Sequence, residues 1–136
     1  MVVVDGKGVP LGVQLTSATP AEVTLIESTL DSVPPDAEGC ERIEHLVYDK
    51  AADSDALRTQ LAERGIELVC PHRKNRTRPS LQDGRALRRY CRRWTVERTI
   101  AWFGNYRRLL VRHEYYSHMF LAFVHIACAL IALARL

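Results

Sequence analysis

The chain has 136 residues, of which 47% are hydrophobic and 26% are charged. This composition is near the globular average, so it argues against a disordered or collagen-like chain and predicts one domain with a modest core. Residues 1–63 contain 4 Lys/Arg against 12 Asp/Glu, whereas residues 64–112 contain 14 against 3. Such a basic block is typical of a nucleic-acid-binding surface, although a solvated helix face explains the charge equally well.

The four cysteines show no CxxC pair and no zinc-ligand spacing, and no secretory segment precedes them. We therefore interpret them as reduced thiols of a cytoplasmic protein.

The first half of the chain alternates strand-forming and helix-forming segments. Two β-rich runs around Asp5-Gly6 predict a hairpin over residues 2–16. A helix is expected over 20–33, with Thr19 as its N-cap. A short strand ending at Asp49 follows. A helix over 56–64, closed by Gly65, and a strand over 66–70 complete an α/β pattern.

The second half is basic and then apolar. Residues 72–85 predict a basic loop, and residues 86–112 predict one long helix rich in arginine. Residues 119–136 predict an apolar C-terminal helix. This last helix approaches membrane-spanning length, but its alanine content and lack of flanking charges favour a helix buried against the sheet.

Asp49 is the first candidate for chemistry, because α/β folds place ligand-binding groups where strands end. Asp53 and Asp55 follow it closely. The simpler interpretation makes Asp53 a helix cap and Asp49 a loop acid, and spacing alone favours that interpretation.

Glu97 is the second candidate, since it is the only acid in residues 84–113. In a continuous helix, Tyr90 would lie about 20°, Arg93 about 40° and Arg108 about 20° from Glu97. A carboxylate among guanidinium groups usually forms an ion pair. Alternatively, it binds a metal ion beside cations that hold phosphates, as phosphoryl transfer requires.

Three runs resemble motifs of DDE transposases, specifically the C-terminal part of the catalytic domain in the bacterial IS5/IS4 insertion-sequence group. Val4–Leu11 resembles "VDxxGxPL", and Tyr48–Arg58 resembles "ADKGYDSDxLR". Trp94–Phe103 resembles "WxVERTFAWL", and it is followed by Arg107-Arg108 and an apolar tail at Leu121–Phe123 that also fit the pattern. The resemblance spans essentially the whole chain.

The resemblance implies an RNase H-like α/β domain that cuts and joins DNA with two Mg²⁺ or Mn²⁺ ions. By motif position, Asp49 corresponds to the second acid and Glu97 to the third, and both would be catalytic metal ligands. Gly104 stands where a phosphate-binding lysine is expected, so we expect Arg107 or Arg108 to supply that charge. The residues expected to contact DNA are Tyr90, Arg93, Arg98, Arg107, Arg108, Arg73, Lys74 and Arg76.

The first acid of the family is expected upstream of Met1, so the fold would be truncated at its N-terminal strand and this chain alone would be inactive. We expect insertion-sequence ends as the DNA partner, together with an upstream-frame product or a second copy of the chain. The alternative functions are a non-catalytic DNA-binding or interaction remnant, based on the basic block, and a tail-anchored membrane protein, based on residues 119–136.

Overall fold

The computed structural model describes residues 1–34, 43–80 and 84–135. They belong to two compact units: one comprises Met1–Pro35 and Trp94–Leu136, and the other comprises Asp36–Arg93. Each unit contains a two-stranded sheet and helices, so the described chain has a mixed α/β architecture. The sequence predicted an α/β pattern that begins with a hairpin, and the described strands, each three or four residues long, form two separate two-stranded sheets.

In the first unit, strands β1 (Val2–Val4) and β2 (Pro10–Val13) form the predicted antiparallel hairpin. One carboxylate oxygen of Asp5 accepts hydrogen bonds from the backbone N–H groups of Lys7 and Val9, both at 2.8 Å. Gly8 has φ +88°, which a residue with a Cβ adopts only with strain. The Asp5 side chain and Gly8 therefore shape the turn.

The first helical segment is shorter than the predicted helix over 20–33. A 3-10 helix at Glu22–Leu25 leads into helix α1 (Ile26–Asp31), which packs on both strands of the hairpin. The predicted Thr19 cap is wrong: Ala21 is the N-cap, and its carbonyl accepts hydrogen bonds from Thr24. The tighter 3-10 turn therefore starts the helix after Pro20.

In the second unit, β3 (His45–Val47) and β4 (Glu67–Val69) pair in parallel, joined by helix α2 (Asp55–Glu63). Ser54 caps α2, because its Oγ accepts the Leu57 N–H at 3.4 Å, so the prediction of Asp53 as the cap is wrong. Gly65, with φ +75°, ends the helix as the sequence predicted. Leu57, Leu61, Leu68 and Val69 are buried in this unit.

The long helix predicted over 86–112 is not continuous. It consists of a 3-10 helix at Ala86–Arg93, helix α3 at Trp94–Phe103 and helix α4 at Arg107–Leu110. Gly104 follows α3, and its N–H bonds to the Ala101 carbonyl at 3.0 Å in a tight turn. Glycine weakens helix propagation, and 3-10 geometry turns faster than 100° per residue. The single face predicted for Tyr90, Arg93, Glu97 and Arg108 is therefore wrong.

The C-terminal helix α5 extends over Ser117–Leu133, where the sequence predicted 119–136. It packs on β2 and α4, with Ala127 and Ile131 buried. The predicted burial is wrong for much of its surface, which leaves large apolar side chains exposed: Met119, Ile126, Leu130 and Leu133. Among the described residues, no helix is long and apolar enough to cross a membrane.

Candidate active-site and DNA-binding residues

Asp49 lies two residues beyond strand β3, at the carboxyl end of the parallel β3–β4 pair. Its Oδ1 accepts the Ala51 N–H at 2.8 Å and so caps the 3-10 helix Lys50–Ala52. Within the described residues, the other carboxylate oxygen makes no hydrogen bond. Asp49 is half-buried and serves as a local cap.

Asp53, four residues further on, lies at the centre of a charged network. Its side chain is only 2% exposed, and it accepts hydrogen bonds from His72 at 2.8 Å and Arg58 at 3.2 Å. It also accepts from the Arg73 backbone N–H at 2.8 Å and from Arg76 at 3.4 Å. Burial raises the pKa of Asp53, but these hydrogen bonds outweigh burial and lower its pKa to about 2. Asp53 is therefore a structural anion that joins the strand ends to the basic loop.

Several expected DNA-binding residues of the basic loop 72–85 are engaged within the protein. The Arg73 side chain donates to the carbonyls of Lys50 and Ala51, at 3.1 and 2.7 Å. Arg76 is largely buried and donates to Asp55 at 2.8 Å, whereas Lys74 is exposed. Residues 81–83 of this loop lie outside the described residues. Among the loop residues proposed for DNA, Lys74 thus has the most accessible charge.

Tyr90 and Arg93 lie on the 3-10 helix Ala86–Arg93, which packs on β3 and β4. The Arg93 guanidinium donates to the Tyr90 hydroxyl at 3.3 Å and lies 6.0 Å from the centre of its ring. The structure thus brings together the first two residues of the predicted Tyr-Arg-Glu set. They belong to the second unit, and Glu97 belongs to the first.

Glu97 is exposed in the first turn of α3, and its neighbours in sequence anchor this helix to the hairpin turn. The buried Thr99 hydroxyl donates to the Gly8 carbonyl at 2.8 Å, and Arg98 donates to the Lys7 carbonyl at 2.7 Å. A Cβ on Gly8 would lie 2.9 Å from the Thr99 hydroxyl. The first and third motif runs, found separately in the sequence, are therefore in direct contact.

Arg98 is held by aromatic rings as well. Its guanidinium lies 4.5 Å from the Trp94 ring centre and 4.9 Å from that of Trp102. Arg135 lies 3.8 Å from the Trp102 ring centre, which extends the cation–π series. The Arg98 side chain thus stabilises α3, a role that sequence reasoning missed when it assigned this residue to DNA.

Arg107 and Arg108 are both exposed on α4. Arg108 pairs with Glu114 at 3.1 Å, and its guanidinium lies 5.5 Å from the Phe123 ring centre. Arg107 has no ion-pair partner among the described residues. Of the two candidates for the charge expected at Gly104, Arg107 is therefore the more available to a phosphate.

No group of three or more His, Cys, Asp or Glu side chains that could hold a metal ion occurs in the described parts of the chain. Cys70, Cys91 and Cys128 are free thiols, and burial raises the pKa of Cys70 and Cys128.

Comparisons with known proteins identify the family. Residues 1–132 match the family described as "Transposase DDE domain". The chain is 34% identical, over 134 residues, to a transposase for insertion sequence element IS402 of Burkholderia cepacia, an alignment that covers 96% of this chain. It is 30% identical, over 129 residues, to a transposase for insertion sequence element IS6501 of Brucella ovis, covering 95% of this chain. The chain belongs to the DDE transposase domain family.

The resemblance inferred from the three motif runs is confirmed at this family level. The chain spans 60% of the length of the IS402 relative and 92% of the length of the IS6501 relative. No solved structure matches the chain.

Proposed function

We propose that this chain is the C-terminal part of the catalytic domain of an IS5/IS4-type transposase, which cleaves and joins DNA at insertion-sequence ends in the bacterial cytoplasm. The family match over residues 1–132 is the observation that carries this proposal. The parallel β3–α2–β4 unit, with an acid directly after β3, supports an RNase H-like fold.

Asp49 and Glu97 are proposed as catalytic metal ligands. The Asp49 carboxylate follows a parallel strand and has an oxygen available, and Glu97 is exposed on a helix fixed by buried hydrogen bonds. Carboxylates suit Mg²⁺ or Mn²⁺, which would activate the attacking water or hydroxyl and stabilise the leaving oxygen. The role of these two side chains is to supply negative oxygen ligands at fixed positions.

The resemblance leaves the first acid of the family's set of three unassigned in this chain. Asp5 is not assigned to this role, and one of its oxygens accepts two backbone hydrogen bonds in the hairpin turn.

DNA contacts are proposed for the exposed cations rather than for those enclosed in the protein. Lys74 and Arg107 are exposed, and Arg88, Arg89 and Arg92 extend the exposed basic surface on the 3-10 helix. This surface also favours the second candidate function, DNA binding without cleavage. In that case, affinity would fall steeply with salt and would not depend on metal or on Glu97.

A nicking assay tests the proposed reaction. A supercoiled plasmid with the element's ends is incubated with Mg²⁺ and with the full-length protein. We expect nicked product that disappears with EDTA and falls at least about 100-fold in Glu97→Gln, because the metal loses a charged ligand. Glu63→Gln changes an exposed acid on α2 and serves as the matched control. Nicking that survives Glu97→Gln at the wild-type rate would exclude Glu97 as a ligand.

A further inference from the structure

The segment between α4 and α5 exposes two adjacent aromatic side chains. Tyr115 is 89% exposed and Tyr116 is 62% exposed, in the first unit of the structure. Large aromatic side chains normally bury most of their surface, so such a pair indicates a binding surface. Neither residue belongs to the motif runs or to the proposed metal ligands.

The backbone that presents these rings is fixed by its own hydrogen bonds. Arg112 donates to the carbonyls of Glu114 and Tyr115, at 2.9 and 3.1 Å, and its guanidinium lies 5.6 Å from the Phe120 ring centre. The Glu114 carboxylate accepts from Arg108 at 3.1 Å and from the His113 N–H at 3.2 Å. The rings are thus displayed on a structured turn, which lowers the entropic cost of binding to them.

The rings form a short aromatic series. The Tyr115 and Tyr116 ring centres are 5.1 Å apart in an edge-to-face arrangement, and the exposed His118 ring stacks on Tyr116 at 5.5 Å. Nucleobases stack on such faces irrespective of sequence, because every base has a π-face.

The charge around the rings favours a polyanion over a second copy of this chain. Arg107, Arg108 and Arg112 lie in the same short stretch, and its acid, Glu114, already pairs with Arg108. Two copies placed face to face would bring these arginines together, whereas a phosphate backbone would neutralise them. An aromatic series beside arginines is the arrangement that single-stranded nucleic-acid sites use.

We propose that Tyr115 and Tyr116 form a stacking site for unpaired bases at a single-stranded or opened DNA end, with Arg107 contacting the adjacent phosphate. This inference rests on the proposed function, because it takes DNA to be the substrate. This site for unpaired DNA is additional to the proposed metal ligands and to the cations of the basic loop.

Fluorescence anisotropy with two labelled DNAs tests the site: a blunt duplex, and the same duplex with a four-nucleotide overhang. We expect the wild-type chain to bind the overhang DNA more tightly, by about fivefold or more, which corresponds to one stacked base. The double variant Tyr115→Ala/Tyr116→Ala should lose this preference and keep its affinity for the blunt duplex. The variant Tyr115→Phe/Tyr116→Phe retains the rings and should keep the preference. Unchanged thermal unfolding temperatures confirm that both variants fold.

Three other outcomes would overturn the inference. Equal wild-type affinity for the two DNAs would exclude a stacking site and leave the proposed transposase function intact. A lower sedimentation coefficient in the alanine variant, with unchanged DNA binding, would show that the tyrosines join two copies of the chain. Failure of the wild-type chain to bind either DNA at low salt would reject the proposed function itself, and the stacking site with it.

Discussion

The two proposed metal ligands lie in regions stabilised by different kinds of interaction. Glu97 is on α3, which contacts the hairpin turn through the buried Thr99 hydroxyl, the close approach at Gly8 and the Arg98 side chain. Asp49 lies four residues before Asp53, whose carboxylate contacts cationic side chains of α2 and of the basic loop. Close packing and hydrogen bonds therefore fix the first region, and ion pairs around a buried carboxylate fix the second. Their responses to mutation and to pH should differ accordingly.

The largest expected loss of stability comes from removing the negative charge of Asp53. Asp53→Asn leaves Arg58, 11% exposed, without an acidic partner among the described residues, and leaves Arg76 with Asp55 alone. Because removing one partner of a buried ion pair leaves an uncompensated charge, we expect a loss of about 3 kcal/mol in the free energy of unfolding. Chemical denaturation measures it, with the exposed Glu63→Gln as the control. A loss similar to that of the control would show that the network contributes little.

The next effect concerns the steric fit of the hairpin turn. Gly8→Ala places a Cβ 2.9 Å from the Thr99 hydroxyl in a residue with φ +88°, so we expect about 2 kcal/mol of destabilisation. Gly6→Ala is the matched control, because a Cβ on Gly6 meets nothing within 4 Å. Thermal unfolding compares the two variants. Equal stability of both would contradict the account of the Gly8–α3 contact.

A smaller loss of stability is expected when low pH protonates Asp53. Since the pKa of Asp53 is lowered from 3.8 to about 2, its stabilisation is complete above pH 3.8 and is lost as pH falls through about 2. The contribution is about 1–2 kcal/mol. Denaturation of wild type and Asp53→Asn between pH 5 and pH 2 measures it, and their difference should shrink in acid. A constant difference would show that Asp53 is not the titrating group.

In both regions, the sequence predicted some elements and missed others. The hairpin and the β3–α2–β4 unit were predictable because local signals specify them, including Gly65 at the end of α2. The break at Gly104 was missed because the hydrophobic and arginine spacing continues through it. The Asp53 network was missed because His72, Arg73 and Arg76 lie 19 to 23 residues away, in a loop without a periodic pattern.

The sequence also identified some of the functional residues and not the contacts of others. Strand position and charge context singled out Asp49 and Glu97, motif resemblance assigned them to the metal, and their roles as metal ligands stay predictions. The positions of Arg76 and Arg98 depend on partners distant in sequence, Asp55 and Lys7, which neither the basic composition nor the motif resemblance reveals. The exposure of Tyr115 has no sequence signal either, because the same residue type is common in cores.

The most direct test of the central claim compares two acids that lie four residues apart. Asp49→Asn and Asp53→Asn are each measured for nicking per folded molecule, in Mg²⁺, and for the temperature of unfolding. We expect Asp49→Asn to abolish nicking and leave the unfolding temperature nearly unchanged, and Asp53→Asn to lower that temperature while folded molecules still nick. Wild-type nicking by Asp49→Asn would contradict the assignment of Asp49 to the metal.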